Sequence, residues 1–97
     1  MKRIEVGRYY ANDRVDIDGK HEKNIIKVIP SKPHMPDSMV RTQTLWVKDS
    51  QPQNLFINDW VEDLIQREAT EEEIKLFRKT RDQLNDLKSY GEIVSSE

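Results

Sequence analysis

The stretch Asn54-Leu55-Phe56-Ile57-Asn58-Asp59-Trp60-Val61-Glu62-Asp63-Leu64-Ile65 constrains this chain more than any other. It carries the densest apolar bulk and divides two differently patterned halves. Wound as a helix, it places Ile57, Trp60, Val61, Leu64 and Ile65 on one continuous stripe. The spacing therefore predicts a helix over 57–67, capped by Asn58 or Asp59, with Glu62 three residues after Asp59 completing a capping box. Such a stripe has to be covered. Strand-like runs precede it and a second helical pattern follows. The expected fold class is thus α+β: a small, strongly curved antiparallel sheet of about four or five strands from residues 4–48, packed against helices near 57–67 and 71–90.

The upstream half has the composition of strands. Ile4-Glu5-Val6-Gly7-Arg8-Tyr9-Tyr10 is rich in β-formers, with Gly7 where a bulge is natural. Asn12-Asp13 punctuates it, and Val15-Asp16-Ile17 is a short second run closed by Asp18-Gly19, a hairpin signal because Gly tolerates positive φ. Asn24-Ile25-Ile26-Lys27-Val28-Ile29 is apolar on both sides of the pleat, which predicts a strand covered on both faces, and Pro30 stops it. Pro30, Pro33 and Pro36 recur every third residue, so 30–38 is expected to be a stiff, extended polyproline-like loop. Met39–Val47 alternates Val40, Thr42, Thr44 and Trp46 against Arg41, Gln43, Leu45 and Val47, the pattern of a strand whose Arg41 and Gln43 face solvent. Lys48–Gln53 reads as a polar turn.

Downstream, Thr70-Glu71-Glu72-Glu73 predicts a helix start, with Thr70 and Glu73 as a reciprocal capping box and carboxylates at the positive end of the dipole. Ile74, Phe77, Thr80, Leu84 and Leu87 form its stripe, widened by Leu76 and Tyr90, and Gly91 is placed to end it. Residues 92–97 are left as a frayed tail. The 97 residues without an internal repeat make a single domain, with a β part at 4–48 and a helical part at 54–90.

Little in the chain is suited to catalysis. With no Cys there is no thiolate metal site, disulfide framework or thiol nucleophile, which fits a reducing, cytoplasmic setting. His21 and His34 lie in predicted loops without metal-ligand spacing. Asp16-Ile17-Asp18-Gly19 resembles part of a calcium loop, but that alignment puts Arg14 at the first ligand position and Ile25 where the bidentate glutamate belongs. No glycine-rich phosphate loop and no nucleophile-elbow serine is present. The expectation is a protein that is not an enzyme and takes no cofactor and no metal. No apolar run reaches the length of a membrane span, and the residues after Met1 do not make a leader's apolar core.

Two binding classes remain. The formal charge is −2 overall, with ten Lys/Arg against seven Asp/Glu in residues 1–50 and six against eleven in 51–97. The acidic second half offers a protein partner the face around Glu62, Asp63, Glu68, Glu71, Glu72 and Glu73. The loop carrying Pro30, Pro33 and Pro36 offers another surface, and Lys27-x-x-Pro30-x-x-Pro33 has the spacing of a ligand for SH3-type domains. The alternative is nucleic acid, for which Arg3, Arg8, Tyr9, Tyr10 and Arg14 interleave cations with aromatics. Protein binding is the leading expectation, because a net-acidic chain exerts no global pull on phosphates.

Ile4–Tyr10, Phe56–Trp60 and above all Arg67-Glu68-Ala69-Thr70-Glu71-Glu72-Glu73-Ile74 resemble segments of short bacteriophage and prophage proteins built as an SH3-like barrel followed by a helix. That resemblance implies a non-enzymatic accessory protein acting on a host or phage protein. It assigns no functional residue to a position.

Overall fold

The computed structural model describes the backbone of residues 4–95 and the side chains of residues 4–84. Five antiparallel strands, β1 (Tyr9–Val15), β2 (His21–Ile29), β3 (Met39–Lys48), β4 (Gln51–Val61) and β5 (Arg67–Glu68), form one sheet in the order β4-β3-β2-β1-β5. A 3-10 turn, Glu62–Leu64, separates β4 from β5, and one helix, α1 (Glu71–Ser95), follows. The α+β class is as expected; the second helix is not found.

The helix predicted over 57–67 is instead the end of β4, the 3-10 turn and β5. Leu55-Phe56-Ile57 is continuously apolar, and Phe56, Ile57, Trp60 and Val61 are strand formers, so pairing with β3 decides the outcome. Of the helical stripe, only Ile65 is fully buried, while Ile57 and Leu64 are 58% and 61% exposed. The capping box at Asp59 and Glu62 is likewise absent: Asp59 pairs with Lys32 at 3.4 Å, and the Glu62 amide donates to the Ser38 carbonyl at 2.8 Å.

Other boundaries move for local reasons. Gly7 adopts φ 88° and the chain turns there, so β1 starts at Tyr9 rather than Ile4. Asn12 and Asp13 lie inside β1 because their side chains bond across to the segment before β5 and to β5 itself. The hairpin at Asp16–Gly19 forms as expected, with Gly19 at φ 80° and Asp16 Oδ1 accepting from the amides of Asp18 and Lys20. The turn expected at 48–53 shrinks to Asp49-Ser50, both at positive φ, and Pro52 is accommodated inside β4 because that strand is a sheet edge. The proline loop is not continuously extended: it turns at Pro33-His34, where His34 has φ 68°, and again at Asp37-Ser38.

The Thr70–Glu73 capping box is present, the Glu73 amide donating to Thr70 Oγ1 at 3.2 Å and the Thr70 amide to Glu73 Oε1 at 2.9 Å. The helix passes through Gly91 to Ser95, so residues 92–95 are helical rather than tail, and Ser96 and Glu97 lie outside the described residues. Arg3 lies outside them too, as do the side chains of Leu87 and Tyr90.

Both faces of β2 are covered, as its double-sided apolar run predicts. On the helix side Ile25, Leu45, Val47 and Phe77 pack together, flanked by Tyr9, Leu55, Ala69 and Leu76. On the other side Tyr10, Ile26, Val28 and Ile65 pack with Ile4, Val40 and Trp60. That second cluster occupies only one end of its face.

Candidate functional site

Strand alternation and register decide what lies on the uncovered end of the second face. Asn12 and Arg14 of β1 stand opposite Asn24 and Glu22 of β2, Asn24 stands opposite Trp46 of β3, and Thr44 stands opposite Phe56 of β4. These residues line a groove. One part, 340 Å³, lies among Arg14, Glu22, Asn24, Trp46 and Phe56. It runs past Arg14 and Asn24 into a second part of 240 Å³ bounded by Asn12, Trp60, Leu64 and Gln66.

The aromatic walls are fixed by hydrogen bonds. Trp46 Nε1 donates to Glu22 Oε1 at 3.2 Å, and the other Glu22 oxygen meets Arg14 Nε at 3.2 Å, so one carboxylate orients both an indole and a guanidinium. Trp60 Nε1 donates to Thr44 Oγ1 at 3.0 Å. Thr44 in turn donates to Asn58 Oδ1 at 2.8 Å, and Thr42 donates to the same oxygen at 2.9 Å. Both threonines are fully buried, so Trp60 is anchored to a satisfied polar floor. Asn24 differs. Among the described residues its amide has no hydrogen-bond partner, and no buried side-chain polar atom lacks one, so this amide faces the groove's solvent. Phe56 and Leu64 add exposed apolar surface. Indoles, a phenyl ring, a free amide and a guanidinium suit the binding of an extended polar chain with apolar side groups.

A different constellation sits at the rim of the helix-covered face. Glu73, 6% exposed, accepts from Arg67 Nη1 and Nη2 and from Lys23 Nζ, each at 2.8 Å, while Arg67 also meets Asp13 Oδ2 at 2.8 Å. The Arg67 hydrogen bonds hold the Glu73 carboxyl far below its ordinary range despite burial, and Lys23 and the Thr70 amide add to this. Glu73 first, then Asp13, raises Arg67, and Arg67 lowers Asp13. Every charge here is matched. The cluster ties β1, β2, β5 and α1 together.

The residues expected to bind a protein are spread out. Pro30, Pro33 and Pro36 are exposed on their loop, while Lys27, the basic member of the proline motif, lies on β2 over the Tyr9 ring, 5.8 Å from its centroid. Glu62 and Asp63 open the 3-10 turn, Glu68 of β5 pairs with Arg8 at 3.3 Å, and Glu71 and Glu72 are exposed in the first turn of α1. Glu73 is removed from this face by burial. The set expected for nucleic acid is divided between faces. Tyr10 is fully buried in the core, and Arg8 is paired with Glu5 and Glu68. Arg14 belongs to the groove. Tyr9 points to the helix side, edge-on to Phe77, with Arg78 5.5 Å from its centroid. Burial would raise the Tyr9 phenol, but the hydrogen bond from Arg78 and the charges of Lys27, Arg78 and Arg81 outweigh it and leave the phenol below its usual value.

Sequence reasoning therefore missed Asn24, Trp46 and Phe56 as a group. Their one-dimensional signal was the alternation of Thr42, Thr44 and Trp46, which marks a face without saying what stands beside it. Among the described residues no group of three or more His, Cys, Asp or Glu could hold a metal, and no helix is long and apolar enough to cross a membrane. No protein-family model, curated protein or solved structure matches the chain.

Proposed function

We propose that this chain is a non-enzymatic, cytoplasmic protein-interaction module of phage-accessory type, and that its groove receives an extended peptide segment of the partner. The observation that carries the reading is the pairing of hydrogen-bond-anchored aromatics, Trp46 and Trp60, with the unpartnered Asn24 amide between them. A peptide needs both: apolar walls for its side chains and a polar group for its backbone. An SH3-like partial barrel is supported by the strand order β4-β3-β2-β1-β5, which pairs the first strand with the last, and by the 3-10 turn just before β5.

The chain's two tryptophans both line the groove, so their fluorescence reports its occupancy. The test is selection from a random peptide library followed by fluorescence titration. Selected peptides should shift the tryptophan emission, and Asn24→Ala should weaken them by about fivefold or more through loss of one hydrogen bond. Peptides that bind Asn24→Ala and Trp46→Phe as well as the native chain would remove the groove from the reading.

A second reading, nucleic-acid binding, is favoured by a cluster other than the one expected. Lys27, Arg41 and Arg78 form no ion pair among the described residues, and Lys27 and Arg78 flank Tyr9. Titration of labelled single- and double-stranded DNA and RNA at two salt concentrations tests it, because phosphate contacts weaken steeply with salt. An absence of binding at low salt excludes this alternative.

A further inference from the structure

β4 is an outer strand of the sheet, eleven residues long, and Asp59 is its only charged residue in a chain that is 35% charged. Exposed edges are normally protected by lysines, bulges or shortness. Here Pro52 and a bulge lie together at the start of the strand and Lys32 reaches Asp59, while Phe56, Ile57 and Val61 are exposed along the rest of it.

The hydrogen bond from the Glu62 amide to the Ser38 carbonyl sets the phase of the β3–β4 ladder. Residues 54, 56, 58 and 60 then bond inward to β3, consistent with the Asn58 carbonyl lying 3.1 Å from Thr42 Oγ1. The backbone N–H and C=O groups of Leu55, Ile57, Asp59 and Val61 are left facing outward. Among the described residues no strand pairs with them, and they form an antiparallel ladder open to a partner.

We infer that this edge pairs with the same edge of a second copy of the chain, antiparallel about a dyad at Asn58. The sequence of the strand selects both the occupant and the register. With Asn58 opposite its own copy, Phe56 meets Trp60 of the second copy at a non-hydrogen-bonded position, where side chains are closest, and the two-fold repeats that contact. Leu55 meets Val61, and Asp59 meets Ile57. A shift of one register step in one direction sets Asp59 against Asp59, which charge opposes. The opposite shift sets Leu55 against Asp59 and Asn54 against Trp60. The Asn58-centred register makes the most apolar pairs, Phe56 with Trp60 and Leu55 with Val61 each twice, against Ile57 with Val61 or Ile57 with itself in the neighbouring registers. The paired length, residues 54–62, spans about 30 Å. That is less surface than the roughly 800 Å² per partner of a standard interface, so association is expected at micromolar concentration. Phe56 and Trp60 also line the groove, so the pairing is tested on the chain alone, without added peptide.

Sedimentation equilibrium of the full chain across the micromolar range tests it, with native fold checked by circular dichroism. The native chain should pass from monomer to dimer. Ile57→Lys, at an exposed position, and Ile57→Pro, which removes an outward amide that β3 does not use, should each raise the dissociation constant by about tenfold or more. Gln43→Lys, one strand inward on the same face, should leave it unchanged. The chain has no cysteine, so Gln53→Cys carries a single spin label, and the label-to-label distance in the dimer should be about 34 Å; neighbouring registers give about 27 or 41 Å. A monomer at every concentration, a dimer indifferent to both Ile57 substitutions, or a label distance belonging to another register would overturn the inference.

Discussion

The two faces of the sheet are made by alternate residues of the same strands, yet they are built by different means. Beneath α1 the contacts are aliphatic and aromatic, Phe77 on Ile25, Leu45 and Val47, with the buried carboxylate Glu73 matched in a network at the rim. Across the sheet, Tyr10, Ile26, Val28 and Ile65 fill one end, and beyond them the floor becomes Thr42, Thr44 and Asn58 under indole walls. A buried threonine gives less hydrophobic stabilisation than a valine of the same shape, and its hydroxyl must be satisfied. The difference teaches that the helix-covered face secures the fold, whereas the open face holds aromatic side chains at fixed orientations.

Breaking the covered face should cost most. Phe77→Ala removes a fully buried ring between helix and sheet and should destabilise by about 4 kcal/mol, enough to unfold much of so small a domain; chemical denaturation measures this. At the rim, Glu73→Gln keeps the cap acceptor but leaves Lys23 unmatched, and should cost about 2–3 kcal/mol at neutral pH. Its pH dependence sharpens the contrast. The folded-state pKa of Glu73 is depressed, so its contribution is fully present above the unfolded value near 4.3 and is lost as pH falls through the folded value. The stability gap between the native chain and the Glu73→Gln variant should therefore narrow below about pH 4, and thermal melts at a series of pH values will reveal it. On the open face Thr44→Val removes the acceptor for Trp60 and a donor to Asn58, and should cost about 1–2 kcal/mol while altering tryptophan fluorescence. A Thr44→Val protein with unchanged emission would mean that the indole is held by packing alone.

Features encoded within a few residues were readable from the chain. Asp18-Gly19 made its turn, Ile25 and Ile26 were each buried on their own face, and Thr70 with Glu73 capped the helix where spacing required. Asn54–Ile65 was misread because a helical stripe is drawn there by residues that are also strand formers, and the choice between helix and strand belongs to β3, which offers a register partner and two buried hydroxyls. The groove was invisible for a related reason. Asn24, Trp46 and Phe56 become neighbours only through strand pairing, and no local pattern announces that an amide will be left without a partner. Tyr9 and Tyr10 show the same limit: one step of the pleat sends one to the helix side and the other into the opposite core cluster.

The two-residue strand β5 carries a kinetic consequence. β1 to β4 follow one another through two short turns and a modest loop, so their ladders close at small entropic cost, whereas pairing Tyr10 with Glu68 must close most of the chain into one loop. Folding is therefore expected to start within the β1–β4 meander and to end when β5 zips onto β1. The capping box stands immediately after β5, and so α1 is secured last. A ribosome releasing this chain delivers that final clasp only after the whole meander has emerged.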